Sequence, residues 1–246
     1  MYIISDTETT GLPKRWNAPL TDSENWPRCI QIAWQVHADS GELLSHEDYL
    51  IQPDGFTVPY DSEQIHGIST ELAQQEGIEL SLMIEKFQQA LSKASFIVGQ
   101  NVKFDLNIMG AEFLRLGMEN PLPSMPLLDT CSETTAQMCQ IPGGRGGKFK
   151  LPTLSELHSQ LFGEPFAEAH NATADVEATT RCFFELIRRE VFTPSELKQE
   201  IAYFKRFQVA NPERISPIGL VHVNLKEEST KLKQKSSVGS SETETK

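Results

Sequence analysis

Two acids, Asp6 and Glu8 in SDTETTGL, stand one residue apart directly after the apolar run YIIS. Along an extended strand residues i and i+2 point to the same face, so both carboxylates can aim at one point. Two carboxylates so placed repel each other unless a cation lies between them, and hard divalent ions such as Mg2+ and Mn2+ prefer carboxylate oxygen. Two more acids can complete a two-ion site. Asp105 lies in GQNVKFDLN, a polar turn after a short apolar run, and Asp175 lies in HNATADVEATT, five residues beyond His170. On a helix those last two residues stand about a turn and a half apart, so His170 meets the acids from the helix entry rather than from Asp175's face. Each residue alone has an ordinary reading: a solvated strand end, a helix-terminal histidine, an exposed helix acid. Their joint spacing gives them a shared one.

The elements that must position these residues are legible in part. YIIS (2 to 5) reads as a buried first strand with the acids at its end. RCIQIAWQVHA and ELLSHEDYLIQP flank Ser40-Gly41 and read as a hairpin, giving an antiparallel meander. Between them PKRWNAPLTDSENWP is rich in Pro, Asn and Asp and reads as an extended surface loop anchored by its two tryptophans. Ser69 caps a short helix through Gln75, and LSLMIEKFQQALSKA carries apolar residues at helical spacing. FIVG and LLDT read as short strands on either side of a helix that Asn101 opens and Gly117 closes. IPGGRGGKFKLP is a glycine-rich basic loop, Thr153 caps the helix after it, and His170 begins a long helix through about Glu190. A further helix is expected from Ser195 to about Val209. Strands first and βα alternation afterwards predict an α/β architecture, a mixed sheet with helices on its faces. Residues 1 to 192 form the expected main domain, 193 to 223 a helical extension, and 224 to 246, almost without apolar residues, a disordered tail or linker.

Composition narrows the function classes. Of 246 residues 39% are hydrophobic and 23% charged, and no apolar run approaches the ~18 residues of a membrane span, so a cytoplasmic protein without membrane contact is expected. Cys29, Cys131, Cys139 and Cys182 show no zinc-like spacing and read as reduced, mostly core residues. A net charge of -12 argues against a broad basic face for long nucleic acid. It is compatible with a pocket that grips a few terminal nucleotides through bound cations.

SDTETTGL, NVKFD and HNATAD, in that order and spacing, resemble the three exonuclease motifs of the DnaQ-like DEDDh family. The likeness runs from about residue 1 to 190 and is nearest in pattern to the epsilon proofreading subunit of bacterial DNA polymerase III. It implies a ribonuclease H-like mixed sheet, antiparallel in its first strands and then parallel, flanked by α-helices. It also implies 3'-5' hydrolysis of terminal phosphodiesters with release of nucleoside monophosphates. Asp6, Glu8, Asp105 and Asp175 match the family's metal-binding acids for two divalent cations, Mg2+ or Mn2+, and His170 matches the histidine that deprotonates the attacking water. The chemistry agrees: two ions ~3.5 to 4 Å apart stabilise the attacking and leaving oxygens of an in-line displacement while a near-neutral histidine takes the proton. A tyrosine at the histidine position would mark the sister subclass, and none stands there.

From the same motifs come candidate substrate contacts: Thr7, Thr9, Leu12 as a wedge against the terminal base, Asn101 and Phe104. His66 in QIHGIS resembles a substrate-side histidine and reads equally well as a packed turn residue. Arg145, Lys148 and Lys150 are candidate phosphate contacts, although a merely mobile loop is the simpler reading. The pairs Phe183-Phe184 and Leu186-Ile187 read as core. Residues Lys14 to Arg28 exceed what a compact exonuclease requires and place the substrate preference in question. The expected substrate is a single-stranded or frayed DNA 3' end, met by a monomer, with a DNA polymerase catalytic subunit as the candidate partner. The alternatives are an RNA-trimming exonuclease, and a polymerase-associated binding module with secondary nuclease activity.

Overall fold

The computed structural model describes residues 1–164, 166 and 171–191. Five strands form one sheet: β1 (Tyr2–Thr9), β2 (Cys29–His37), β3 (Leu43–Leu50), β4 (Phe96–Gly99) and β5 (Leu127–Asp129). Their spatial order is β3-β2-β1-β4-β5, with β2 antiparallel to both β1 and β3, and β4 and β5 parallel to β1. This is the mixed ribonuclease H-like sheet that the motifs imply. Seven α-helices accompany it among the described residues: α1 (Tyr60–His66), α2 (Thr70–Glu76), α3 (Leu80–Leu91), α4 (Lys103–Arg115), α5 (Glu133–Cys139), α6 (Leu154–Phe162) and α7 (Ala172–Arg188).

Strand alternation sorts β1 between two cores. Tyr2 and Ile4 join Phe183, Phe184, Leu157 and Leu161 under α6 and α7, whereas Ile3 joins Phe87 of α3 and Ile108, Met109 and Phe113 of α4. The Tyr2 ring meets the Phe183 and Phe184 rings edge-on, with centroids 5.2 and 5.8 Å away. Burying one such side chain contributes roughly 1.5–3 kcal/mol, and the Phe pair is core, as expected from the sequence. In α3, Met83, Ile84, Phe87, Ala90 and Leu91 form the buried stripe. The same alternation sends Asp6 and Glu8 toward the α7 layer and Thr7 toward α4.

Several boundaries differ from those read in the sequence. β1 continues through the acids to Thr9, because Asp6, Thr7 and Glu8 pair with Ala33, Ile32 and Gln31 of β2; the ladder holds where the apolar pattern stops. Asn101 does not open α4. It stands in the turn before it at φ 58, and the helix begins at Lys103. α7 begins at Ala172, with the Asn171 side chain accepting from the N–H groups of Thr173 and Ala174, and His170 lies outside the described residues. The expected helix near 195–209, the extension 193–223 and the tail 224–246 also lie outside them. Two helices go beyond those expected from the sequence. α1 has only Ser62 buried and no side-chain cap, and α5 is a seven-residue helix held by a Ser132–Thr135 capping box. All four cysteines are free thiols, three of them buried. No helix among the described residues is long and apolar enough to cross a membrane.

Candidate active site

The site forms where β1 outruns its parallel neighbour. β4 pairs with β1 only from Tyr2 to Ile4, so the edge of β1 beyond that point is open on the β4 side. Space is tight where β4 ends: a Cβ on Gly99 would lie 3.0 Å from the Val102 side chain and 3.2 Å from the Ser5 carbonyl. The chain turns there, and the first turn of α4 fills the gap. Asp105, 4% exposed, accepts from the Thr7 backbone N–H at 3.1 Å and from the Thr7 hydroxyl at 2.6 Å through the same Oδ1. The carboxylate thus takes over an N–H that has no strand partner, which an open buried strand edge requires.

On the other face of β1, Asp6, Glu8 and Asp175 each offer a carboxylate oxygen, and these oxygens lie within 4.8 Å of one another. Asp175 reaches them from the first turn of α7, which packs against β1 and β2 and whose Ala172 lies in the core with Tyr2 and Ile4. Asp6 feels the charges of Asp105, Asp175 and Glu8 together, so Asp105, although outside the group of converging oxygens, lies close enough to act on it. Burial, then those three charges, push the Asp6 carboxyl well above the usual carboxylate range. Glu8 is pushed up to about 7, by burial first and then by Asp175 and Asp105. Burial raises Asp105 to about 7 as well, against the hydrogen bonds from Thr7 that favour its charged form. A divalent cation among these oxygens would offset both the repulsion and the lost hydration, so the donor set fits a hard metal ion.

The other expected site residues divide. Thr7 is committed to Asp105, and the Thr9 hydroxyl donates to the Gly11 carbonyl at 2.7 Å, so neither hydroxyl faces a substrate unpartnered. Leu12, 72% exposed, projects from the loop after β1. The Asn101 N–H donates to the Asp129 carboxylate at 2.8 Å, and Phe104 is half-buried against the α3–α4 core. His66 ends α1, its Nδ1 accepting from the Ile68 N–H at 3.1 Å; burial lowers its pKa, opposed by the Thr9 backbone, which puts the ring beside β1's end. In the glycine loop Lys148 pairs with Glu133 at 2.6 Å and Lys150 with Glu156 at 2.7 Å. Both lysines of that loop are thereby engaged by carboxylates, Lys150 at the capping box of α6, while Arg145 begins the short 3-10 turn Arg145–Gly147.

Two supporting groups had no signal in the sequence. Asp129, at the end of β5, accepts through Oδ1 from the N–H groups of both Asn101 and Cys131, each at 2.8 Å, and so pins the left-handed turn that launches α4. Asp48 of β3 accepts from the Gln31 side chain at 2.9 Å and from the Thr173 hydroxyl at 2.5 Å, tying the sheet to the turn of α7 that bears Asp175. Both acids stand in ordinary strand sequence, and only strand pairing brings them near the site.

Comparisons with known proteins agree with this geometry. The RNase T exonuclease family model matches residues 3–183. A PolC-type DNA polymerase III from Pediococcus pentosaceus is 29% identical over 178 residues, which is 72% of this chain and 11% of the polymerase. Among solved structures, E. coli exonuclease I in complex with a dA16 oligonucleotide superposes with a TM-score of 0.59 at 18% identity, covering 83% of this chain and 42% of that one. The zinc-ion-bound exonuclease I–single-stranded DNA complex gives 0.59 at 21% identity, covering 78% and 42%. These likenesses to solved structures show a shared fold. The chain spans about a tenth of the polymerase and less than half of exonuclease I.

Proposed function

The chain belongs to the RNase T family of exonucleases, which are phosphodiester hydrolases, and from that premise we propose that it shortens single-stranded or frayed DNA from the 3' end. The observation that carries this reading is the convergence of Asp6, Glu8 and Asp175 oxygens within 4.8 Å, with Asp105 held beside them by Thr7. Asp6, Glu8, Asp105 and Asp175 would hold two divalent cations, Mg2+ or Mn2+. When bound, such ions polarise the scissile phosphate and lower the pKa of an attacking water. The chain's own groups do the rest. β1 and α7 aim three carboxylates at one point, and Thr7 orients the fourth. His170, which matches the family's general base and lies outside the described residues, accepts the proton of the water. Leu12 and Phe104 border the place of the terminal nucleotide.

The likeness to a segment of a PolC-type DNA polymerase III supports a proofreading role alongside a polymerase. Exonuclease I, whose fold this chain shares, is known in complex with single-stranded DNA, and that supports DNA as the substrate. Time-resolved digestion of 5'-labelled single-stranded DNA, 3'-mismatched duplex, paired duplex and RNA, with Mg2+, Mn2+ or EDTA, tests the reading. Metal-dependent shortening of mismatched and single-stranded DNA is expected, and shortening of RNA alone would replace it with RNA maturation. Asp6→Ala and Asp175→Ala should each lower the rate by at least about a thousandfold with unchanged circular dichroism. Retention of full activity by either would reject the assigned centre.

A further inference from the structure

The segment from Lys14 to Arg28 is unusual for a surface loop in how firmly it is built. The buried Asn25 side chain clamps Arg15 from both sides, accepting from its N–H at 2.8 Å and donating to its carbonyl at 3.0 Å. The Lys14 N–H donates to the Asn25 carbonyl at 3.2 Å. Trp26, 3% exposed, anchors the segment in the α3–α4 core and donates from Nε1 to the Pro19 carbonyl at 3.1 Å. The Arg115 guanidinium of α4 adds bonds to the Ser23 and Trp26 carbonyls at 2.8 and 2.7 Å. The far tryptophan of the segment does the opposite. Trp16 leaves 57% of its surface in water, and its ring centroid lies 5.9 Å from that of Phe104, one residue before the buried site acid Asp105.

A rigid loop that holds a large aromatic face in solvent against Phe104, in the helical turn that also bears Asp105, has little to gain in folding energy from that face. Its neighbours in sequence are the exposed cations Lys14 and Arg15, in a chain whose net charge is -12. Arg15 meets Asp22 at 2.9 Å, a pair at the surface whose side chains are 70% and 32% exposed and which is therefore weak. An aromatic face joined to cations is the combination that binds single strands without reading sequence: a base stacks on the ring while the backbone phosphate meets the charge. An acidic molecule lacks the broad basic face that would otherwise hold the strand.

We propose that Lys14, Arg15 and Trp16 form a single-stranded DNA subsite, Trp16 stacking on a base upstream of the 3'-terminal nucleotide and Lys14 and Arg15 meeting its phosphate. The inference rests on the exonuclease reading, because that reading puts the terminal nucleotide at the carboxylates beside Phe104. The test compares the wild-type chain with Trp16→Ala, Trp16→Phe and Lys14→Ala. Cleavage of a dT10 oligonucleotide is followed with Mg2+, and binding of the same fluorescein-labelled oligonucleotide is followed by anisotropy with EDTA. Trp16→Ala should raise KM and the dissociation constant roughly tenfold or more with kcat within about a factor of two, and Trp16→Phe should restore most of the affinity. Lys14→Ala should weaken binding several-fold. On dT2, too short to reach the subsite, the Trp16→Ala defect should shrink. An unchanged KM and dissociation constant in Trp16→Ala, or an equal loss on dT2 and dT10, would overturn the subsite. A wild-type chain that binds dT10 through Trp16 yet releases no nucleotide would keep the subsite and sink the exonuclease reading instead.

Discussion

Asp105 shows what a single side chain must satisfy at this centre. It is buried, it shares its surroundings with three other acids, and one of its oxygens serves as the acceptor for both donors of Thr7. The raised pKa values have a thermodynamic consequence. Glu8 and Asp105 titrate near 7 in the folded metal-free chain and near their ordinary values when unfolded, so the folded state binds more protons between about pH 4 and 7. Their contribution to stability is present below pH 4 and is lost as the pH rises through 7. His37 runs the other way. Burial lowers its pKa to about 4, its ring placed 3.0 Å from the Gly41 carbonyl and 3.0 Å from the Gln35 amide, so stability falls as the pH drops from 6.5 toward 4. The two slopes oppose each other in one window, and a bare pH scan of stability would blur them. Mg2+ separates them, because it competes with protons for the acids and leaves His37 alone. The Mg2+-induced rise in Tm should be near zero at pH 5 and reach roughly 5–10 °C at pH 8 with saturating ion, and Asp6→Asn should abolish most of it. Differential scanning fluorimetry with and without EDTA measures both, and an increment independent of pH would contradict the assigned ligands.

At the scale of elements, the site depends on three chain ends meeting: the overhang of β1, the first turn of α4 and the first turn of α7. Each is held by a group outside the carboxylate set. Asp129 fixes the turn into α4, and Asp48 ties β3 to Thr173 at the start of α7. Asp48 also holds Gln31, which is paired with Glu8 across the β1–β2 ladder, so one side chain braces two of the carboxylate-bearing elements. Asp48→Ala and Thr173→Val should each lower kcat/KM about five- to tenfold while moving Tm by only a few degrees, since both partners lie near the surface. The double variant should be little worse than Asp48→Ala alone, because that change already removes the tie to Thr173. Additive losses would mean that the two residues act separately.

For the whole molecule, the charge balance limits how strongly the proposed DNA strand can be held by electrostatics. With a net charge of -12 and the lysines of the glycine loop paired with Glu133 and Glu156, the proposed subsite supplies two cations, Lys14 and Arg15, to displace counterions from DNA. Single strands lose about 0.7 in the logarithmic salt slope for each phosphate neutralised. The affinity for dT10 should therefore fall with a slope of only about -1 to -2, measured by anisotropy in EDTA between 50 and 300 mM NaCl. A slope steeper than about -4 would require a basic surface beyond Lys14 and Arg15.

How much of this was legible in the sequence follows the range of the interactions involved. Strand alternation placed Asp6 and Glu8 on one face, helical spacing marked α3 and α7, and Ser69 and Thr153 announced their helices as caps, because each of these signals acts over a few residues. The order of the three acidic motifs likewise sufficed for the family and its mixed sheet. Other features depend on partners distant in the chain. β1 persists through its acids because β2 pairs with them, Thr7 holds an acid 98 positions away, and Thr173 meets Asp48 across 125. The exposed face of Trp16 and the buried one of Trp26 are the same residue type in one loop, and only the packing of that loop on α4 tells them apart. A side chain's type fixes what chemistry it can offer, whereas its neighbours, burial and unmet hydrogen bonds are properties of the closed fold, and these decide which acids share a centre and which aromatic faces the solvent.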